Sequence, residues 1–163
     1  MFTVCIDPGI GGTGYAVFRN LQRKWKKTRR PLKTGMVPPP DKDHRVSWQH
    51  KVVWYSNQLR IELCNYNLTN AYIEMPEFWT RSAKSYASTK QGNLFKLAYL
   101  VGAIGDMLYM HHSIIPELLA PSKWKGQLSK SVVDKRIRRA IGKNYPEHVS
   151  DAVGIGLSVQ GKL

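Results

Sequence analysis

The opening fourteen residues constrain the fold of this chain more than any other stretch. Phe2 to Ile6 are apolar or β-branched, the composition of a strand that is buried on both faces. The run ends at Asp7, and Pro8 follows, which cannot donate a hydrogen bond to a central ladder. Four glycines among residues 9–14 predict a tight turn, after which Tyr15 to Phe18 returns as the second arm of an antiparallel hairpin. Taken alone, Asp7 is more typical of a turn cap than of a functional site.

A second strand ends in the same way further along the chain. Ala71 to Glu74 is another short apolar run that closes on a carboxylate, and Pro76 follows two residues later. If the two strands are neighbours in one sheet, Asp7 and Glu74 lie side by side at its edge. A pair of acids delivered by adjacent strands is a stronger functional signal than either acid alone.

Apolar periodicity predicts the remaining elements. Strands are expected around 34–37 and 113–119, and helices at 48–63, 94–108, 129–141 and from 146 or 147 to 159. Asp41 or Asp43 is the expected N-cap of the first helix, and Pro116 places the last strand near a sheet edge. Small residues in the 94–108 helix permit close approach of a second subunit or of the chain's own sheet. Alternating strands and helices predict an α/β fold in one domain spanning residues 1–163.

The last predicted helix carries His148 and Asp151 near its start. Their i, i+3 spacing puts both side chains on one helix face. A histidine and an aspartate at a helix start also occur as a simple capping arrangement. Considered singly, capping is the better interpretation.

The net charge points to a polyanionic partner. The chain has 25 Lys and Arg residues against 11 Asp and Glu, a formal net charge of +14. Nucleic acid is favoured over a membrane surface, because no basic amphipathic anchor stands out and no apolar run approaches the roughly 18 residues of a membrane span. We expect no signal peptide, and we expect Cys5 and Cys64 to be reduced, buried thiols of a cytoplasmic protein.

Two stretches outside the acidic motifs are candidates for DNA contact. Residues 75–91 interleave cations, aromatics and hydroxyls, a mixture suited to phosphate contacts and base stacking, although an ordinary loop with its aromatics tucked onto the core remains an alternative. The second stretch is the basic cluster around the predicted 129–141 helix. The candidate DNA-binding residues are Phe78, Trp79, Arg81, Lys84, Lys90, Lys123, Lys125 and Lys130.

Three carboxylates and an imidazole at element ends predict metal chemistry in this basic chain. Hard oxygen ligands suit Mg²⁺ or Mn²⁺, and two such ions about 3.5–4 Å apart can activate water and stabilise a leaving oxygen in phosphodiester hydrolysis. In that chemistry Asp7 would bridge the ions, and Glu74 and Asp151 would complete the two sites. His148 would then ligate a metal or stabilise the transition state.

Four segments of the sequence resemble RuvC-type Holliday junction resolvases. Ile6-Asp-Pro-Gly-Ile-Gly-Gly-Thr-Gly-Tyr15 is similar to the opening motif, and Ala71-Tyr-Ile-Glu74 to the second acidic strand. His148-Val-Ser-Asp-Ala-Val-Gly154 is similar to the closing motif. Lys123-Trp-Lys-Gly126, followed by Ser129-Lys130, resembles the basic segment before the penultimate helix. The resemblance extends from Met1 to about Val159, with the motifs in the same order.

The resemblance implies a ribonuclease H-like mixed five-stranded sheet flanked by helices. It also implies a homodimeric, Mg²⁺-dependent endodeoxyribonuclease that nicks two opposed strands of a four-way junction, with Mn²⁺ able to substitute. Its catalytic and metal-binding residues would be Asp7, Glu74, His148 and Asp151. Members of the family have either Asp or His at the position of His148, and an aromatic that stacks on junction bases falls near Phe78 or Trp79.

Three other functions remain to be separated from this one. A RuvC-like enzyme that cuts flaps and other branched DNA would carry the same motifs. A sugar kinase or actin-like ATPase also uses a strand that ends in Asp beside glycines, but it needs a second such domain, so we expect no nucleotide cofactor. A catalytically silent DNA-binding module is expected to have lost at least one acid, whereas Asp7, Glu74 and Asp151 are all present.

Overall fold

A computed structural model describes residues 1–19, 29–40, 46–77 and 92–163 of the chain. Within these ranges a mixed five-stranded sheet has the order β3-β2-β1-β4-β5. β1 pairs antiparallel with β2, which confirms the predicted hairpin. β1 also pairs parallel with β4, so the two acidic strands are neighbours, the condition under which Asp7 and Glu74 come together. β2 pairs antiparallel with β3, and β4 pairs parallel with β5. The strands are β1 (Phe2–Asp7), β2 (Thr13–Arg19), β3 (Lys33–Val37), β4 (Leu68–Glu74) and β5 (Glu117–Leu119).

Helices cover both faces of this sheet. The described helices are α1 (Trp48–Leu63), α2 (Asn93–His112), α3 (Pro121–Trp124), α4 (Lys130–Ile141) and α5 (Glu147–Val159). Val4 and Ile6 of β1 face a core shared with α1 and α2, whereas Cys5 faces a second core shared with α4 and α5. Burial on both faces explains why β1 is a continuous apolar run rather than an alternating one. None of the helices in the described ranges is long and apolar enough to cross a bilayer.

Two local predictions about α1 are wrong. The helix begins at Trp48 as expected, but its N-cap is Ser47 rather than Asp41 or Asp43, which lie outside the described residues. The Ser47 hydroxyl accepts a hydrogen bond from the His50 backbone N–H, which satisfies one free donor of the first turn. Cys64, the residue after the helix, is exposed rather than buried, whereas Cys5 is buried as predicted.

The leucine-rich face of α2 packs inside the molecule. Val101, Ile104 and Leu108 are buried in the core that α2 shares with α1 and the sheet. The opposite face of α2 is open, with Phe95 73% and Tyr99 59% exposed. Of the two alternatives left open by the sequence, the structure therefore shows the leucine stripe against the chain's own core, and any partner has to use the other face.

Close packing of α5 on β2 depends on the absence of a side chain at Gly156. A Cβ at this position would overlap the ring of Phe18, which is fully buried. Overpacking of a filled core forces side chains off their rotamers and shifts the backbone. Helix α5 can therefore lie this close to the sheet only with glycine at 156.

We predict that Gly156→Ala lowers the free energy of unfolding by about 1–3 kcal/mol. Gly11→Ala is the matched control, because Gly11 is exposed in the β1–β2 turn and a Cβ there would have nothing within 4 Å of it. It should be neutral or stabilising by up to about 1 kcal/mol, since alanine loses less backbone freedom than glycine on folding. Urea denaturation measures both variants, and equal destabilisation by the two would contradict the packing argument.

Candidate active site

Asp7 lies at the end of β1 and contacts His148 at the start of α5. His148 Nδ1 and Asp7 Oδ2 are 2.7 Å apart, and the Asp7 side chain is buried. Burial raises the pKa of the Asp7 carboxyl, while the hydrogen bond and charge of His148 act in the opposite direction. The same hydrogen bond raises the pKa of the His148 imidazole, against the effect of its own partial burial. With the Nδ1 proton donated to Asp7, Nε2 is the ring nitrogen left for a ligand.

The glycines of the β1–β2 turn make room for the start of α5. A Cβ at Gly14 would overlap the backbone carbonyl of His148. A Cβ at Gly9 would lie 2.6 Å from Cε1 and 2.8 Å from Nε2 of the His148 ring. Close backbone approach, rather than turn geometry alone, therefore explains the glycine-rich turn after Asp7.

Glu74 ends β4, the parallel neighbour of β1. Trp124 Nε1 donates a hydrogen bond of 2.6 Å to Glu74 Oε2. Burial raises the pKa of the Glu74 carboxyl to about 7, and the nearby charge of Asp7 adds to this effect. Lys125 and the Trp124 hydrogen bond oppose the shift but do not cancel it.

Asp151 joins the same corner of the molecule from the second turn of α5. Lys130 Nζ lies 2.5 Å from Asp151 Oδ1, and Lys125 Nζ lies 3.9 Å from Asp151 Oδ2. Lys125 Nζ is also 3.9 Å from Glu74 Oε2, so one ammonium group lies between two carboxylates. The structure thus brings Asp7, Glu74, Asp151 and His148 together at the C-terminal ends of β1 and β4. Their catalytic role remains a prediction.

The candidate DNA-binding residues separate into three groups. Lys125 and Lys130 point at the carboxylates, whereas Lys123 is exposed. The remaining candidates lie outside the described residues, so their predicted DNA contacts stay predictions: Phe78, Trp79, Arg81, Lys84 and Lys90.

Two residues that sequence reasoning did not assign to the site also contribute to it. Trp124 holds Glu74, as described above. Glu77 accepts hydrogen bonds from the Ser122 backbone N–H at 3.1 Å and from the Ser122 hydroxyl at 2.8 Å. These bonds tie the chain just beyond β4 to α3. The sequence signal was weak in both cases, because the partners are 50 and 45 residues apart along the chain.

The acids suit a hard divalent cation by their chemistry. Within the described residues, no three or more His, Cys, Asp or Glu side chains are grouped around a common metal position, because the carboxylates engage Trp124, His148 and the two lysines instead. The raised pKa values of Asp7 and Glu74 nevertheless reflect buried charges that repel one another. A bound divalent cation would relieve that repulsion.

The fold has close relatives in shape among solved structures. The structure of Thermus thermophilus RuvC superposes with a TM-score of 0.73 at 19% identity, covering 97% of this chain and 92% of that one. The chain has the RuvC fold. The same enzyme in complex with a Holliday junction substrate gives a TM-score of 0.70 at 19% identity, over 97% and 91% of the two chains.

A viral resolvase also shares the fold. Fowlpox virus resolvase, in a complex with substrate Holliday junction DNA, matches with a TM-score of 0.58 at 14% identity, over 99% of both chains. No protein-family model matches the sequence, and no curated protein matches it. The predicted ribonuclease H-like architecture is therefore confirmed by shape rather than by sequence similarity.

Trp124→Phe removes the indole N–H that bonds Glu74 but keeps an aromatic ring in the core. We predict that it weakens Mn²⁺ binding about 10-fold. Partners that orient a metal-binding carboxylate typically contribute 10- to 100-fold to metal affinity. Trp54→Phe is the matched control, since its indole N–H donates to the Pro38 carbonyl away from the site. Isothermal titration with Mn²⁺ measures both variants. An unchanged affinity in Trp124→Phe would show that Glu74 needs no orienting bond.

Proposed function

We propose that this chain is a metal-dependent, structure-selective DNA endonuclease that resolves four-way junctions by symmetric paired nicks. The observation that carries the proposal is the convergence of Asp7, Glu74, Asp151 and His148 at one edge of a RuvC-type sheet. The net charge of +14 supports a polyanionic substrate. Both resolvase complexes named above contain Holliday junction DNA, which favours branched DNA over linear duplex.

Asp7, Glu74, Asp151 and His148 are the residues that would hold two Mg²⁺ ions, with Mn²⁺ as a substitute. When bound, the ions supply an activated water and positive charge at the leaving oxygen. The rest of the chemistry belongs to the chain. Trp124 fixes one oxygen of Glu74, and Asp7 orients the His148 ring so that Nε2 faces outward from the hydrogen bond. The lysines next to Asp151 would have to release it in part for a metal to bind, and their ammonium groups would then be available to the substrate phosphate.

A homodimer would place two such sites on opposed strands of a junction. The open face of α2 is the best candidate for the contact, because Phe95, Tyr99 and Tyr109 are more than half exposed there. Gly102 on the same face allows another helix to approach closely. Apolar aromatic patches of this kind on a surface are typical of protein contacts.

We predict that light scattering gives about twice the chain mass for the wild type. Phe95→Glu should shift the protein to a monomer, because it places a charge in the middle of the proposed contact. Ile61→Glu is the matched control on α1, where Ile61 is 54% exposed. A wild-type monomer on junction DNA, or dissociation by both variants alike, would contradict the α2 interface.

Two alternatives differ in substrate or in activity. An enzyme of the same fold with broader specificity would cut flaps and forks as well as four-way junctions. A catalytically silent module would bind DNA without cutting in either Mg²⁺ or Mn²⁺. Asp7, Glu74 and Asp151 are all present, and they lie close enough for the charge of one to raise the pKa of another. This arrangement favours an active enzyme over the silent module.

The direct test is cleavage of a synthetic four-way junction, a flap and a matched linear duplex, with Mg²⁺ and with a chelator. We expect paired, symmetric nicks in the junction alone, and none with chelator. Equal cutting of junction and flap would favour the broader nuclease. Tight binding without cutting in either metal would favour the silent module.

We predict that Asp7→Asn abolishes junction cutting but leaves junction binding within about twofold. The substitution removes the charge proposed to bind metal. It barely changes the net charge of +14, on which binding to the DNA phosphates depends. Cleavage and gel-shift titration on the same junction separate the two effects. Glu117→Gln, which changes an exposed acid at the start of β5, is the control that should leave both unchanged. Cutting by Asp7→Asn at the wild-type rate would remove Asp7 from the proposed mechanism.

A further inference from the structure

A second basic concavity lies away from the acidic corner, between the start of β3 and the turn that joins α4 to α5. It is a cavity of about 430 Å³ lined from one side by Arg30 and Thr34 and from the other by Lys143 and Tyr145. Among the described residues that line this cavity, none is an acid. It therefore differs from the acidic corner, where each lysine faces a carboxylate.

The cations of this cavity have no ionic partner in the described part of the chain. No described carboxylate lies within 4 Å of Arg30 or Lys143. Asp134, which lines an adjoining cavity with Lys143, is instead paired with Lys130 at 3.6 Å and with the Ser150 hydroxyl at 2.5 Å. Two unpaired cations in one concavity repel each other, so an anion bound between them is favoured.

The Tyr145 side chain lies near both Lys143 and Arg30. Lys143 Nζ lies 5.2 Å from the centroid of the Tyr145 ring, a cation–π distance. Burial raises the pKa of the Tyr145 hydroxyl and the charge of Arg30 opposes that rise, which places Arg30 near the same side chain. Within the described ranges the Tyr145 hydroxyl has no hydrogen-bond partner, so it remains a donor for a ligand.

The position of Arg30 is fixed by a buried side chain rather than by an exposed loop. Gln160, 2% exposed at the end of α5, accepts from the Arg29 backbone N–H at 2.7 Å and donates to the Arg29 carbonyl at 3.3 Å. The Leu32 N–H donates to the Val17 carbonyl at 2.7 Å, which ties the next residues to β2. Residue 30 is therefore held between two anchored positions, and the cavity does not depend on a freely moving arm.

We infer that this cavity is a second phosphate site. It binds one backbone phosphodiester of a DNA arm, at a distance from the phosphodiester that lies at the acidic corner. The inference rests on the proposed function for its ligand. A guanidinium, an ammonium and a phenol donor converging on one cavity match the acceptor oxygens of a phosphodiester. Helix α4 runs from Lys130 at the acidic corner to Ile141 at the cavity, so its rise separates the two sites by about 16 Å. A rigid helix thus sets the distance between the reacting phosphate and the anchored one.

The competing explanation is that the cations only compensate the C-terminal carbonyls of α4. The helix ends at Gly142, in the left-handed conformation, and cations near a helix C-terminus are stabilising. That role predicts a loss of thermal stability when the cations are removed and no effect on DNA. A phosphate site predicts the reverse, so the two explanations are separable.

The test measures junction binding without cleavage, in chelator, across a series of salt concentrations. Arg30→Gln and Lys143→Gln should each weaken binding about 3- to 10-fold near 0.1 M salt and reduce the slope of log affinity against log salt by about one. Lys143→Arg should retain both. Arg60→Gln is the matched control, because Arg60 is an exposed cation on α1, outside the candidate DNA-contact stretches, and does not line the cavity.

The contacted phosphate is then located by replacing single phosphodiesters of the junction with neutral methylphosphonates. One replacement should weaken the wild type by the same factor as the cavity variants and have no further effect on Arg30→Gln. Equal effects of Arg60→Gln and the cavity variants, or lowered melting temperatures with unchanged salt slopes, would overturn the site. A wild type that binds with this signature but does not cut would leave the phosphate site intact and reject the proposed nuclease.

Discussion

The structure depends on holding three carboxylates together in a corner that water reaches poorly. Asp7 and Glu74 arrive there because β1 and β4 are parallel neighbours whose ends coincide, and Asp151 arrives on α5. Burial and mutual repulsion raise the pKa values of Asp7 and Glu74, so the arrangement opposes folding unless cations are near. His148, Lys125 and Lys130 supply that positive charge from the chain itself.

Packing and site geometry are coupled through Trp124. Its ring is buried in the core between the sheet and helices α4 and α5, where a Cβ at Gly154 would lie 2.6 Å from it. Its indole N–H holds Glu74 at the other end of the same side chain. Any change that moves α5 relative to the sheet therefore moves the donor that orients the acid, so the small residues of α5 serve the site as well as the core.

Much of the fold could be predicted from local patterns, whereas the side-chain partners at the site could not. The strand ends at Asp7 and Glu74 and the buried faces of the helices follow from the pattern of apolar residues along each element. Periodicity shows which side chains share a face, but it does not show which partner lies opposite, as the 50 residues between Trp124 and Glu74 illustrate. For the same reason the sequence did not show that Lys125 and Lys130 lie beside acids in the structure, and their predicted DNA contacts stay predictions.

The imidazole at 148 changes what the corner needs in order to fold. An aspartate at this position would place a fourth carboxylate against Asp7, where this chain has a 2.7 Å hydrogen bond from a ring that can carry positive charge. That extra carboxylate would raise the repulsion that already shifts the Asp7 pKa upward. Histidine therefore stabilises the corner by itself and leaves fewer negative charges to attract cations. The lysines add to the same effect, because each would have to be displaced in part before the proposed metal ion could approach Asp151. In this chain, the side chains that stabilise the acidic corner without metal would therefore weaken the proposed metal binding.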